Sequence, residues 1–197
     1  MLVTHGHSDH LGEAVEIARR TKPIWPQIHE MSLWATEELR GDEGPEIVGM
    51  NKGGTVDARG VRVTMVGADH SAGNWSETLK SPLYLGEPAG FVLELPGGLR
   101  LYHAGDTQVF GDMRLIADLY RPSVAFLPIG GHFTMGPREG ALALELLGVE
   151  TVVPIHFGTF PLLSGTPEDL RRELIGRGLE AVQVLSPERG EATPIPA

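Results

Sequence analysis

The 197-residue chain contains no cysteine, so it has neither disulfides nor thiolate ligands. Any transition metal it binds must be held by histidine and carboxylate. No stretch approaches the run of about 20 apolar residues needed to span a bilayer. Nor does the chain open on the charged, apolar and small-residue succession of a secretory leader. The expected location is the cytoplasm, with no membrane partner. Cations are also scarce: 16 Lys and Arg stand against 26 Asp and Glu, a formal net charge of -10. Nonspecific nucleic-acid binding is largely neutralisation of phosphates by Lys and Arg, so nucleic acid is not an expected partner. Gly53-Gly54 and Gly130-Gly131 lack the strand and helix context of nucleotide-binding glycine motifs and read as turns. There is no internal repeat, no low-complexity linker and no Ser-His-Asp constellation. The length suits one domain over residues 1–197.

What the chain does have is a cluster at its start. Thr4-His5-Gly6-His7-Ser8-Asp9-His10 places three imidazoles and one carboxylate within seven positions. On an extended backbone His5 and His7 point to one side, and Asp9 and His10 can turn back where the chain enters a helix. Neutral imidazole nitrogens and a carboxylate suit zinc and tolerate iron or manganese, whereas calcium and magnesium want oxygen nearly throughout. Asp9 also stands where an acidic residue caps a helix, but capping requires no neighbouring histidines.

The spacing of Leu11, Ala14, Val15 and Ala18 predicts a helix from about Asp9 to near Thr21. A short strand over residues 23–28 and a helix over 29–40, closed by Gly41, follow. Two hairpins are expected, 55–57 with 61–65 and 90–95 with 99–103. Beyond them the pattern turns to strand and helix in alternation: Val124 to Ile129, a helix from Pro137 to Leu147, Val152 to Ile155, a helix from Pro167 to Arg177, and Ala181 to Leu185. The class is α/β, helices covering a sheet.

Four strands are then each followed by a polar candidate: the His5 cluster after Leu2-Val3, His70, Asp106 and His156. Loops at one sheet edge converge on one site, so the recurrence outweighs any single residue. His132, between Gly130-Gly131 and Phe133-Thr134, falls at the same edge. It either faces substrate, donating a proton or holding an anionic oxygen, or fixes its own loop through a backbone carbonyl. Thr134 is a weaker candidate. His103 reads as a buried hydrogen-bonded residue or a partner behind the ligands, and His29 as a surface residue. Trp25 and Trp34 fit the core, and Trp75 the mouth of a pocket.

The arrangement resembles the metallo-β-lactamase superfamily, whose H-x-H-x-D-H motif is matched at His5, His7, Asp9 and His10 and whose later ligands are matched at His70, Asp106 and His156. More narrowly, Gly90-Phe91-Val92, Tyr102 to Thr107, Leu127 to Met135 and Ile155 to Phe160 are similar to the UPF0173 metal-dependent hydrolases, over nearly the whole chain. The resemblance implies an αββα sandwich of the four-layer α+β type. It implies two divalent ions, most simply zinc, with His5, His7 and His70 holding one, Asp9, His10 and His156 the other, and Asp106 between them. Asp9 and His132 are the candidate catalytic residues. The implied activity is attack by a metal-bound hydroxide on an ester, lactone, amide or phosphodiester bond of a small molecule. Family members carry further β-strands ahead of the histidine motif, which here starts at residue 4. The first N-terminal strands are therefore expected to be lacking, and the resulting sheet edge to invite self-association into a homo-oligomer or to loosen the site. Three alternatives stay open: a noncatalytic metal-binding module, a nuclease, which the charge opposes, and an iron redox protein, for which no flavin-binding segment is present.

Overall fold

The structure, a computed structural model, describes residues 1–188 and 190–195. Its centre is a seven-stranded mixed sheet made of β3 (Thr55–Ala58), β4 (Val61–Gly67), β7 (Ala89–Glu94), β8 (Arg100–His103), β9 (Val124–Pro128), β10 (Thr151–Ile155) and β11 (Gln183–Val184), in the order β11-β10-β9-β8-β7-β4-β3. β1 (Ile24–Ile28) and β2 (Glu46–Met50) form a separate parallel pair, and β5 (Asn74–Ser76) and β6 (Ser81–Leu83) a small antiparallel one. The helices are α1 (Ser8–Leu11), α2 (Ala14–Thr21), α3 (His29–Glu38), α4 (Met113–Tyr120), α5 (Pro137–Leu147) and α6 (Pro167–Gly176).

Strand direction decides where the loops emerge. β4 and β8 are each antiparallel to β7, and β8, β9 and β10 are mutually parallel. β4, β8, β9 and β10 therefore run the same way, and the loops after them leave one edge of the sheet. Those loops carry His70, Asp106, His132 and His156.

Period-2 alternation divides the core between the two faces. Tyr102, Ala125, Leu127 and Val152 pack under Met113 and Ile116 of α4, Leu144 of α5 and Leu170 of α6. On the other face Val63, Met65 and Phe91 meet Leu11, Ala14, Ala18, Trp25, Met31 and Ala35. Full burial of side chains such as Phe91, Met65 and Trp25 stabilises the fold by about 1.5–3 kcal/mol each. α3 lies along β1 and β2, so the layers follow the order helix, sheet, sheet, helix. A smaller patch of Leu101, Val124 and Val153, with Phe126 and Leu185, lies on the same side as Phe91, over β8 to β10. α6 begins on Thr166, whose hydroxyl accepts the Asp169 N–H at 3.1 Å, with Pro167 at the first helical position.

The structure departs from the sequence pattern in several places. The helix expected from Asp9 to Thr21 is two helices, because Gly12 takes a left-handed φ of 37° and its N–H closes α1 on the Ser8 carbonyl at 3.0 Å. Leu2-Val3 is not a strand: the segment meets the large sheet through the Ala89 N–H, which donates to the Thr4 carbonyl at 2.9 Å. The last strand is shorter than residues 181–185. β2, α4 and the β5–β6 hairpin appear where the sequence pattern marks no element.

Candidate metal centre

Each segment of the site is fixed before any ligand is added. Thr4 is buried and its hydroxyl lies 3.0 Å from His5 Nδ1, which leaves His5 Nε2 facing the centre. Asp9 and His10 fall in the first turn of α1. His70 follows β4, where the Asp69 N–H donates to Thr107 Oγ1 at 2.9 Å, tying the His70 and Asp106 loops together. After β8, the Gly105 N–H donates to His103 Nδ1 at 3.1 Å, and the His103 ring stacks on Phe126 at 5.6 Å. His103 thus orients the turn ahead of Asp106 from outside the cluster. His156 follows β10 with a left-handed φ of 54°.

The seven predicted ligands come together. Asp106 Oδ2 lies 3.1 Å from His156 Nε2, 3.2 Å from His10 Nε2, 3.7 Å from His70 Nε2 and 4.0 Å from His5 Nε2. His5 Nε2 is 3.0 Å from His7 Nδ1, and Asp9 Oδ2 is 3.4 Å from His10 Nε2 and 3.7 Å from His156 Nε2. Two triads, His5-His7-His70 and Asp9-His10-His156, and a third group of His5, His10 and Asp106 each bring one donor atom per residue within 4.8 Å of one another.

Burial and mutual proximity set the electrostatics. Desolvation, with the neighbouring His10, lowers the His5 pKa to about 3, so at neutral pH its nitrogen is an unprotonated donor. Burial lowers His70 as well. Burial on its own raises the Asp106 carboxyl, but hydrogen bonds from His10 and His156 and their charges hold it far below the usual range. His156 is raised, first by its hydrogen bond to Asp106.

Divalent cations fit this arrangement. Zinc–nitrogen bonds of about 2.0–2.1 Å in a tetrahedron separate ligand atoms by about 3.3 Å, and the observed separations of 3.0–4.0 Å bracket that value. Asp106 Oδ1 and His156 Nδ1 are buried without a hydrogen-bond partner, a cost that a cation bound by Asp106 would offset for the first.

Above the ligands opens a cleft of about 560 Å³. His132 lines it, exposed and in a left-handed conformation (φ 57°), with its ring edge-on to Phe133 at 4.4 Å. The loop is fixed by its backbone: the Gly131 N–H donates to Met135 O at 3.1 Å, and the Met135 N–H to Thr107 O at 3.2 Å. Thr134 does not line the cleft. Trp75 does not reach it either, because the segment is a hairpin rather than a loop and Trp75, opposite Pro82 in the β5–β6 pair, is exposed there. His29 is exposed and Trp25 fully buried, as the pattern implies. Sequence reasoning missed Ser8, Ser71, Phe133 and Phe160, which also line the cleft, and the fully buried Thr107. A threonine directly after a strand-end aspartate was the available signal for Thr107; nothing in the pattern singled out the two phenylalanines.

The comparisons with known proteins agree with this geometry. Residues 1–157 match the family described as the Beta-lactamase superfamily domain. A UPF0173 metal-dependent hydrolase of Herpetosiphon aurantiacus is 43% identical over 198 residues, spanning 100% of this chain and 80% of the relative. One from Rubrobacter xylanophilus is 46% identical over 188 residues, 95% of this chain and 76% of the relative. Among solved structures, Igni18, a metallo hydrolase from Ignicoccus hospitalis, superposes with a TM-score of 0.80 at 37% identity, over 96% of this chain and 76% of that one. The metallo-β-lactamase fold protein YhfI of Bacillus subtilis shares the fold alone, at 12% identity and a TM-score of 0.68, over 96% of this chain and 75% of that one. The fold is that of the metallo-β-lactamases. The chain belongs to the beta-lactamase superfamily and, within it, to the UPF0173 metal-dependent hydrolases. It is an enzyme of that class, and the class implies divalent metal ions. No helix among the described residues is long and apolar enough to cross a membrane.

Proposed function

We propose that the chain hydrolyses an ester, lactone, amide or phosphodiester bond of a small molecule with the help of two divalent ions, most simply zinc, manganese and iron also being compatible. The observation that carries this reading is the position of Asp106: one carboxylate oxygen within 4.0 Å of four imidazole Nε2 atoms. An anionic oxygen so placed offsets the repulsion of two cations. His5, His7 and His70 would hold one ion and Asp9, His10 and His156 the second, with Asp106 placed between the two triads. When bound, such ions lower the pKa of water and stabilise charge on the attacked oxygen.

The chain's own residues do the remaining work. Neutral His5 presents a lone pair without first having to lose a proton. Asp9 is the most solvent-accessible of the ligands, its side chain 49% exposed, and its free oxygen can accept the proton lost by attacking water. His132, on its fixed loop at the cleft wall, donates a proton to the leaving group. The small-molecule assignment is supported by the net charge of -10 and by the absence of Lys and Arg from the lining of the cleft, among the described residues.

Metal analysis combined with turnover tests this. The chain should carry two equivalents of metal, lose hydrolysis of at least one ester, lactone or phosphodiester probe on chelation, and regain it on readdition. Full metal occupancy with no turnover of any probe class would sink the proposal.

A further inference from the structure

The cleft above the ligands keeps two large apolar side chains in water. Phe133 and Phe160 are 51% and 52% exposed, and both line it. Neither is on a loose segment. Phe133 follows His132 in the loop tied to Thr107, and its N–H donates to the Gly131 carbonyl at 2.7 Å. Phe160 lies in a turn closed at both ends, by the Gly158 N–H on the Leu163 carbonyl at 3.1 Å and the Leu163 N–H on the Phe160 carbonyl at 3.0 Å. Exposed phenyl rings held on rigid backbone at the wall of a reaction cleft are surfaces for a ligand to cover.

The charges around them narrow what that ligand is. Apart from the ligand cluster and His132, the polar groups of the lining are the hydroxyls of Ser8 and Ser71, and no Lys or Arg contributes among the described residues. The molecule places its cations elsewhere: Arg62, Arg100 and Arg121 line a different cleft of about 430 Å³, facing Glu94 and Asp118. A substrate with a phosphate or carboxylate away from its reacting bond would find no basic side chain to hold it. An uncharged aryl or branched alkyl group would find two phenyl rings.

We propose that the non-reacting part of the substrate is an uncharged aryl or branched alkyl group, seated against Phe133 and Phe160. This deepens the reading of the centre as a hydrolytic metal site and rests on it. The cleft volume lies within the range that accommodates a small molecule of that kind.

Calorimetric titration of the metal-loaded full chain with three hydroxamates tests the assignment independently of turnover. Acetohydroxamate supplies the metal-binding group alone, phenylacetohydroxamate adds an aryl group, and succinic monohydroxamate adds a carboxylate. The aryl compound should bind about 10-fold or more tightly than acetohydroxamate, and the carboxylate compound no more tightly. In a Phe133→Ala/Phe160→Ala double variant that retains its metal content, the aryl preference should vanish. Equal affinities, a preference for the carboxylate compound, or an aryl preference that survives the double variant would overturn this assignment alone. Failure of even acetohydroxamate to bind the metal-loaded chain would overturn the reading of the centre, and this one with it.

Discussion

The two triads at the centre share Asp106 but sit in different surroundings. His5 is 1% exposed and His70 nearly covered, whereas Asp9, in the other triad, has a half-exposed side chain and His10 a partly open one. The inner triad also rests on two buried hydrogen-bonded supports, Thr4 behind His5 and Thr107 beside the His70 loop. The outer triad draws two of its residues from α1, a helix of four residues whose N-cap residue, His7, makes no side-chain capping hydrogen bond. A set of donors anchored by buried hydrogen bonds would hold an ion tightly. On the proposed two-ion reading, the more open set would let water and substrate reach the second ion, and the difference would separate retention from reaction across one carboxylate.

The largest effect should come from removing what the two halves share. Asp106→Ala should lose both ions by elemental analysis and reduce kcat/KM by about 10³-fold or more, with the circular dichroism spectrum retained. Normal metal content in that variant would end the bridging assignment. Next, His7→Ala and Asp9→Asn should behave differently. His7→Ala should abolish activity and retain at most one equivalent, while Asp9→Asn should keep the inner ion and lose the outer one more readily to a chelator. If both variants released both ions at the same chelator concentration, the distinction between the halves would fail. A smaller effect, about 10- to 100-fold in metal affinity, is expected for Gly130→Ala, because a Cβ there would run into the His156 carbonyl oxygen and push that loop outward.

The smallest effect concerns the metal-free chain. His5 binds its proton with a pKa of about 3 in the folded state against an ordinary 6.5. Between those values the unfolded chain takes up a proton that the folded chain refuses, so this contribution lowers stability as pH falls below about 6.5. His70, also lowered by burial, adds in the same direction, and His156, raised by Asp106, opposes it above the ordinary value. Thermal melts in chelator from pH 6.5 down to 5 should show a decreasing midpoint. A midpoint flat across that range would mean that the imidazoles are not desolvated as described.

Much of the centre was legible in the sequence because its residues sit in a repeated context. His70, Asp106 and His156 each follow a strand that is plain as an apolar run or an alternation, and parallel strand ends share an edge. His103 was placed correctly from phase alone, opposite to Tyr102. Other features depend on contacts between distant segments. β2 is defined by pairing with β1, and β5 and β6 are three residues each, too short for a period to show. In α4 the buried pair Met113 and Ile116 has helical spacing, but the exposed Leu115 and Leu119 blur it. The break at Gly12 was masked by apolar residues that keep helical spacing across it. Phe133 and Phe160 had no pattern to announce them, since exposure of a phenyl ring is a property of the folded surface.

Gly105 has a wider consequence. Its φ is 64°, and a Cβ there would lie 2.8 Å from the Thr4 side chain and 3.0 Å from the Ala89 carbonyl oxygen. The segments that carry His5 and Asp106 thus touch through the space of a missing methyl group. In a saturation mutagenesis screen Gly105 should tolerate replacement as poorly as the histidines, although it offers no donor atom. A survey of substitutions restricted to groups capable of chemistry would overlook the residue that sets how far apart the chemical groups stand.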